Sequence, residues 1–211
     1  PNMSSSAPDY KKLYIQQDKV FALLVPYLCG YYLTGGTALG RFYLGHRYSD
    51  DLDFFLNQNP EFGKKTRELF SILKSNYPID ETVTIQSTDF IRIVILDEAP
   101  LKIEFVNDIA YRWGKTLIAA NNIPVDNVAN MLANKFTCLL SRDEPKDVFD
   151  IISIADSFSF NWKEIYKNAF EKQIMNETDI VMRLETFPVE FLATQPWLIQ
   201  PVKIDEMKTK L

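Results

Sequence analysis

The chain has 211 residues, of which 46% are hydrophobic and 24% charged, and its formal net charge is -5. This composition is typical of a globular protein with a full core, and it excludes extensive disorder. The negative net charge argues against a protein that coats nucleic acid by releasing counterions, although it is compatible with a local basic pocket.

The sequence contains no run of about 18 apolar residues, and its first residues lack the layout of a signal peptide. We therefore expect no membrane segment and a cytoplasmic protein. The two cysteines, Cys29 and Cys138, lie in apolar patterns without metal-ligand spacing. We predict that both are reduced core residues.

The hydrophobic spacing predicts strands and helices in the first part of the chain and helices alone in the second. The predicted strands are 31–34, 51–56, 81–86, 90–96 and 101–106. The predicted helices are 10–29, 37–44, 61–75, 126–141, 145–156, 161–174 and 178–193. This order indicates an α+β fold with a mixed β-sheet flanked by helices and a helical C-terminal part. We expect an α/β core over residues 1–120 and a helical region over 121–211 packed on it, together forming either two units or one.

Two aspartates lie on one face of the predicted strand 51–56. Asp51 and Asp53 point the same way because side chains alternate along a strand, and like charges that close resist joint ionisation unless a cation lies between them. Glu104 is a further carboxylate on the apolar strand 101–106. The three carboxylates are candidate ligands for one or two Mg²⁺ ions, the usual device for phosphoryl or nucleotidyl transfer. Glu104 would bind the metal nearer the attacking hydroxyl or activate that hydroxyl.

The glycine pair before the predicted helix 37–44 indicates a second part of the same site. Gly35 and Gly36 let the backbone approach a phosphate closely, and the following helix offers its N-terminal N–H groups. Thr37 is a candidate for an additional hydroxyl contact.

Lys135 lies on the apolar side of the predicted helix 126–141, in one stripe with Val128, Leu132 and Leu139. Two interpretations fit this position. Either the aliphatic stem packs and the ammonium extends outward to solvent, or the ammonium enters a pocket and meets an anion.

The flanking polar residues also have two interpretations each. Arg142, on the same helical face as Lys135, reaches a phosphate or forms an ion pair with Asp147 or Asp150. Arg47 and Ser49 are either loop residues or orient the carboxylates.

Two segments of the sequence resemble those of a known family. "LTGGTALGRFYLGHRYSDDLDFF", residues 33–55, is similar to the signature of the AbiEii/AbiGii-type toxin branch of the nucleotidyltransferase superfamily. "NKFTCLLSRDEPKDVFD", residues 134–150, resembles the lysine-containing helix of that branch and the Arg-Asp-x-x-(Lys/Arg)-Asp-x-x-Asp pattern that follows it. The resemblance covers roughly residues 30–155.

The resemblance implies transfer of a nucleoside monophosphate from an NTP to an acceptor, with release of pyrophosphate. It assigns the metal ions to the three carboxylates, the triphosphate to Gly36 and Thr37, and the nucleotide phosphates to Lys135. Asp147 would be a further polar group of the active site. The implied partners are an NTP, an acceptor such as a tRNA, another RNA, a protein or a small molecule, and a cognate antitoxin.

A catalytically silent protein of the same fold, serving as a binding or regulatory module, is the alternative hypothesis. The intact carboxylates and Lys135 argue against it, because a binding scaffold has no need of a carboxylate pair that repels itself.

Overall fold

The computed structural model describes residues 8–210, and the structural statements below concern that part of the chain. The helices are α1 (Tyr10–Leu24), α2 (Gly35–Leu39), α3 (Phe62–Asn76), α4 (Val128–Ser141), α5 (Pro145–Ser157), α6 (Trp162–Lys172), α7 (Glu177–Glu185) and α8 (Ile204–Lys210). The strands are β1 (Tyr32–Thr34), β2 (Asp51–Asn57), β3 (Ile85–Gln86), β4 (Phe90–Ile95), β5 (Leu101–Asp108), β6 (Leu117–Ile118) and β7 (Pro124–Val125). A π-helical turn spans Gly40–Leu44, and 3₁₀ turns span Val25–Tyr27 and Val189–Thr194.

The strands of the described part form one mixed sheet in the order β3-β4-β5-β2-β1-β7-β6. β2 runs parallel to β5 and β1 runs parallel to β7, while the other neighbours are antiparallel. The predicted α+β class with a mixed sheet and a helical C-terminal part is therefore confirmed.

The two faces of β2 have different roles because its residues alternate between buried and partly exposed. The buried residues are Leu52, Phe54 and Leu56. Phe54 stacks on Phe105 of β5, with ring centroids 5.7 Å apart, and Phe21 of α1 meets its ring edge to face at 6.5 Å. Burial of these aromatic rings stabilises the sheet by roughly 1.5–3 kcal/mol per side chain. The opposite face of β2 is left for polar side chains.

The C-terminal helices pack around α4, which contacts α5, α6 and α7. The Asn127 side chain caps α4 by accepting a hydrogen bond from the Asn130 N–H. Beyond α7 the chain returns to the loop before β2, where the Tyr48 N–H donates to the Trp197 carbonyl at 2.8 Å. The Trp197 ring lies 5.3 Å from that of Phe149 on α5. This last segment therefore joins the helical part to the loop that leads into the site.

Several predicted elements differ from the observed ones, and prolines explain two of the differences. The predicted helix 10–29 ends at Leu24 and continues only as a 3₁₀ turn that contains Pro26. The predicted helix 178–193 is divided into α7 and the 3₁₀ turn 189–194, with Pro188 between them.

Other differences concern short or irregular segments. The predicted strand 81–86 is reduced to β3, and the predicted helix 37–44 begins earlier, at Gly35, and widens into the π turn. Both cysteines are free, as expected, but Cys29 is exposed rather than part of the core, because it lies in the turn before β1.

The predicted division after residue 120 falls between β6 and β7, which pair with each other in the sheet. The division into two domains therefore stays a prediction. Across residues 8–210, none of the helices has the length and apolar character needed to cross a membrane.

Candidate active site

The strand pairing brings the three predicted carboxylates to one face of the sheet. In the parallel register of β2 and β5, Asp53 lies opposite Glu104 and Asp51 lies opposite Lys102. The Asp51 side chain is 29% exposed and that of Glu104 is 15% exposed, so both remain accessible from one side. We call Asp51, Asp53 and Glu104 the carboxylate wall.

Asp53 adjoins both other members of this wall, because Glu104 lies opposite it on β5 and Asp51 lies two residues before it on β2. Burial raises its pKa well above the usual value for an aspartate, and the charges of Asp51 and Glu104 raise it further. Asp53 is therefore the residue on which the other two carboxylates of the wall act together.

Two cations of the chain contact the wall. The Lys102 ammonium lies 3.0 Å from Asp51 Oδ2 and 3.4 Å from Glu104 Oε1. Arg92 on β4 approaches Glu104 Oε1 to 2.7 Å through both Nε and Nη2. Burial opposes ionisation of Asp51, but the Lys102 charge outweighs it and holds the pKa of Asp51 below its usual value. Sequence reasoning assigned neither cation to the site, because their positions depend on the strand register.

The carboxylate wall matches the charge and chemistry that a divalent cation requires. Among residues 8–210, no group of three or more His, Cys, Asp or Glu side chains is close enough to hold one metal ion. Carboxylate oxygens are nevertheless the ligands that Mg²⁺ prefers, and the Lys102 ammonium lies between two of them. The wall thus fits a bound cation in donor type and in charge.

A second group of charged side chains lies on α4 and α5. Lys135 is 6% exposed, and its ammonium lies 2.7 Å from Asp147 Oδ1 and 2.7 Å from Asp150 Oδ2. Burial alone would lower the pKa of Lys135, but Asp150 and Asp147 raise it. Of the two interpretations of Lys135, the ammonium that meets an anion matches the structure, and the anions are two carboxylates of the same chain.

Asp150 joins this group to the loop before β2. Arg47 donates to its two oxygens at 2.6 and 2.8 Å, and His46 Nε2 lies 2.7 Å from Oδ1. Burial would raise the pKa of Asp150, but Lys135 and Arg47 hold it well below the usual value. Arg47, only 2% exposed, therefore binds Asp150 rather than the carboxylate wall. Sequence reasoning considered Asp150 only as a partner of Arg142, although it ends the Asp-x-x-Asp pattern.

Arg142 pairs with Asp147 rather than standing free. Its Nε donates to Asp147 Oδ2 at 2.7 Å, and its side chain is 54% exposed. We call Arg47, Lys135, Arg142, Asp147 and Asp150 the basic cluster, because its three cations exceed its two carboxylates by one.

The glycine pair makes room for side chains of this chain. Gly35 has φ +70°, and a Cβ there would lie 2.5 Å from Asp53 Oδ2. A Cβ on Gly36 would lie 2.8 Å from Ser49 Oγ and still closer to the Arg47 guanidinium. The Thr37 hydroxyl is buried and donates to the Asp51 carbonyl. A contact of these residues with a triphosphate stays a prediction.

Ser49 lies beside the carboxylate wall. Its Oγ is 3.5 Å from Asp51 Oδ1, at the limit of a hydrogen bond.

The carboxylate wall and the basic cluster, apart from Asp150, line the same cavity of about 550 Å³. Every residue predicted for the site except Thr37 lines this cavity. Its size suits a ligand of small-molecule dimensions. An acidic wall and a basic cluster in one cavity can hold an anionic ligand together with cations.

Two solved structures are similar to this chain in fold. The fold of this chain is similar to that of JHP933 from Helicobacter pylori, with a TM-score of 0.66 and 16% sequence identity. The match covers 98% of this chain and 90% of JHP933. MenT4, a nucleotidyltransferase toxin from Mycobacterium tuberculosis H37Rv, matches with a TM-score of 0.63 at 15% identity, covering 96% and 81%. The comparison with curated proteins found no match. The family described as nucleotidyl transferase AbiEii toxin, type IV TA system, matches residues 21–192. Since this match spans most of the chain, the protein belongs to the AbiEii nucleotidyltransferase toxin family.

Proposed function

We propose that this nucleotidyltransferase moves a nucleoside monophosphate from an NTP to a hydroxyl group of an acceptor. The acceptor oxygen forms a bond to the α-phosphorus, the bond from that phosphorus to pyrophosphate breaks, and the hydroxyl proton passes to a base. The observation that carries this proposal is that the carboxylate wall and the three cations of the basic cluster line one cavity of about 550 Å³.

In this proposal the carboxylate wall holds one or two Mg²⁺ ions. Bound Mg²⁺ supplies positive charge to the phosphate oxygens as charge develops during transfer. On Glu104, Arg92 and Lys102 both contact Oε1, which leaves Oε2 for a metal ion or for the proton of the attacking hydroxyl. Asp51 and Asp53 bind the cation from the neighbouring strand.

The basic cluster binds the triphosphate from the other side. The Lys135 ammonium has three N–H donors, of which two are directed to Asp147 and Asp150. The third is available to a phosphate oxygen, and the exposed Arg142 guanidinium offers a second contact. Asp147 acts as a positioning residue, since it fixes both cations through its two oxygens.

Gly35, Gly36 and Thr37 are the proposed backbone contacts of the triphosphate. Ser49 orients Asp51, and Arg47 supports the same site through Asp150.

Family membership supports a role as the toxin of a toxin-antitoxin pair, with a cognate antitoxin as partner and the cytoplasm as location. The acceptor is an RNA such as a tRNA, a protein or a small molecule. The net charge of -5 favours a small acceptor. MenT4, which is similar in fold, is named as a nucleotidyltransferase toxin.

Labelled nucleotides test the reaction and the acceptor together. The protein is incubated with Mg²⁺, with separate fractions of cellular RNA, protein and small molecules, and with each of the four NTPs carrying label on either the α- or the γ-phosphate. We expect label from the α-phosphate alone, in one acceptor fraction, and loss of labelling with EDTA or in Asp53→Asn. Transfer of the γ-label, or transfer by Asp53→Asn at the rate of the unchanged protein, would contradict the proposal.

A further inference from the structure

Lys102 is the cation that lies within the carboxylate wall. Its ammonium is 3.0 Å from Asp51 Oδ2 and 3.4 Å from Glu104 Oε1. These two oxygens belong to residues that the proposed function assigns to the metal. A divalent cation that binds both residues would compete with the ammonium for these two carboxylates and for the space between them.

The side chain of Lys102 is free to move away. It is 38% exposed, and both of its ion-pair partners within residues 8–210 belong to the carboxylate wall. Lys135 differs, because its side chain is 8% exposed and is held between two buried aspartates. A lysine on a flexible four-carbon stem can leave an exposed ion pair at little free-energy cost. Lys102 can therefore withdraw to solvent, whereas Lys135 cannot.

The charges of the wall explain why a cation is held there. Three carboxylates on two adjacent strands repel one another, and an ammonium between two of them reduces that repulsion. The same reduction would be supplied more strongly by a divalent ion. The two cations are thus alternatives for one position.

We propose that Lys102 is an internal counter-ion of the carboxylate wall that occupies the cation position in the metal-free protein and withdraws when a divalent cation binds. Lys102 thereby sets the metal concentration at which the site fills. This inference rests on the proposed function, since it requires that the carboxylate wall binds the metal.

Titration with Mn²⁺ in the absence of nucleotide tests the inference without measuring activity. Free Mn²⁺ is followed by electron paramagnetic resonance in the unchanged protein and in Lys102→Met, which keeps the length of the side chain and removes its charge. We expect Mn²⁺ to bind Lys102→Met at least about tenfold more tightly, because an opposing unit charge at about 4 Å is removed. We also expect a lower melting temperature in EDTA and a larger stabilisation by Mn²⁺ than in the unchanged protein.

Two matched variants separate displacement from a general change of charge. Lys102→Arg retains a cation at the same position and should show no gain in affinity. Lys146→Met removes a lysine that lines the same cavity but pairs with Asp50, at 3.0 Å, and should change the affinity much less. Equal gains in Lys102→Met and Lys146→Met would overturn the displacement.

Asp53→Asn distinguishes failure of this inference from failure of the proposed metal site. If Asp53→Asn abolishes Mn²⁺ binding while Lys102→Met binds Mn²⁺ as the unchanged protein does, or more weakly, the role of Lys102 is wrong and the metal site stands. If Asp53→Asn binds Mn²⁺ normally, or no form of the protein binds it, both are wrong.

Discussion

Asp53 is the member of the carboxylate wall that lacks a close cation. Within residues 8–210, Lys102 and Arg92 contact Asp51 and Glu104, whereas Asp53 faces those two carboxylates. Ionisation of Asp53 is therefore unfavourable in the metal-free protein, and replacement of Asp53 by a neutral residue should remove this destabilising contribution.

We predict that Asp53→Asn lowers transfer by at least roughly 100-fold and raises the melting temperature in EDTA. A relief of about 1 kcal/mol corresponds to roughly 2–4 °C for a chain of this size. Asp51→Asn is the matched comparison, because it removes the partner of Lys102 and should give no such rise. Calorimetry and transfer are measured on the same preparations. Near-normal turnover of Asp53→Asn at saturating Mg²⁺ would exclude the metal assignment.

Lys135, unlike Asp53, has close partners of opposite charge, since two carboxylates contact its ammonium. If the Lys135 ammonium enters a pocket to meet a bound triphosphate, its replacement by methionine is expected to preserve or raise stability. The structure reverses this expectation, because the change would leave Asp147 and Asp150 buried with one cation fewer.

We predict that Lys135→Met lowers the free energy of unfolding by roughly 3–5 kcal/mol and also lowers transfer by orders of magnitude. The double variant Lys135→Met/Asp147→Asn should recover part of the stability but none of the transfer, since the buried charge is removed while the phosphate contact is still lost. Urea unfolding of the three proteins measures the difference. A Lys135→Met variant as stable as the unchanged protein would contradict this account.

The start of α2 is where backbone and site side chains meet most closely. A Cβ on Gly36 would collide with the Arg47 guanidinium and the Ser49 hydroxyl, and Arg47 is held in place by Asp150. The space that a Cβ of Gly36 would fill is thus already taken by the side chains of Arg47 and Ser49. We expect a substitution at Gly36 to destabilise the folded protein by displacing Arg47 and Ser49, and to weaken nucleotide binding as a result.

We predict that Gly36→Ala lowers the free energy of unfolding by roughly 1–3 kcal/mol. Gly63→Ala in α3 is the control, because a Cβ there would meet only the Arg67 side chain, at 3.4 Å, and alanine favours a helix. Urea unfolding should show Gly63→Ala to be neutral or stabilised. Equal stabilities of the two variants would show that Gly36 is not constrained.

The strength of the local pattern decided which elements could be predicted. The alternation of β2, β4 and β5 and the periodicity of α3 to α6 lead to bounds close to the observed ones. β6 and β7 have two residues each, which is too short for any alternation to be seen. The parallel pairing of β2 with β5 is a long-range property that a local pattern does not contain.

The same distinction applies to the candidate site. The shared face of Asp51 and Asp53 and the position of Lys135 on the apolar side of its helix follow from periods of two and 3.6 residues, and so could be predicted. The partners of these side chains could not be, because the contact of Lys102 with Asp51 depends on strand register and that of Lys135 with Asp150 depends on helix packing.

For the molecule as a whole, the buried carboxylates of α5 link stability to pH. The pKa values of Asp147 and Asp150 lie below their usual range, because Lys135, Arg142 and Arg47 outweigh the effect of burial. A carboxyl group whose pKa is lower in the folded than in the unfolded state stabilises the fold above the unfolded value of about 4. That stabilisation is lost as the pH falls through about 4 towards the folded pKa.

We predict that the free energy of unfolding falls steeply between about pH 5 and pH 3. In Asp150→Asn it should be lower at pH 7 and should fall less over that interval. Asp143→Asn, whose side chain is 87% exposed, should retain the slope of the unchanged protein. Urea unfolding at a series of pH values provides the comparison. An unaltered slope in Asp150→Asn would contradict the assignment of this dependence to Asp150.

Trp197 is synthesised after the residues of the site that it covers. Trp197 lies over the Arg47 guanidinium, 5.7 Å from it, and its neighbour Leu198 forms a β-bridge with Arg47. Synthesis proceeds from the N-terminus, so both carboxylate strands exist long before this cover does. We expect a nascent chain to hold a complete acidic wall beside an arginine that is still uncovered. A chain that ends before Trp197 would therefore contain the carboxylate wall and the basic cluster but would lack the residues that cover Arg47.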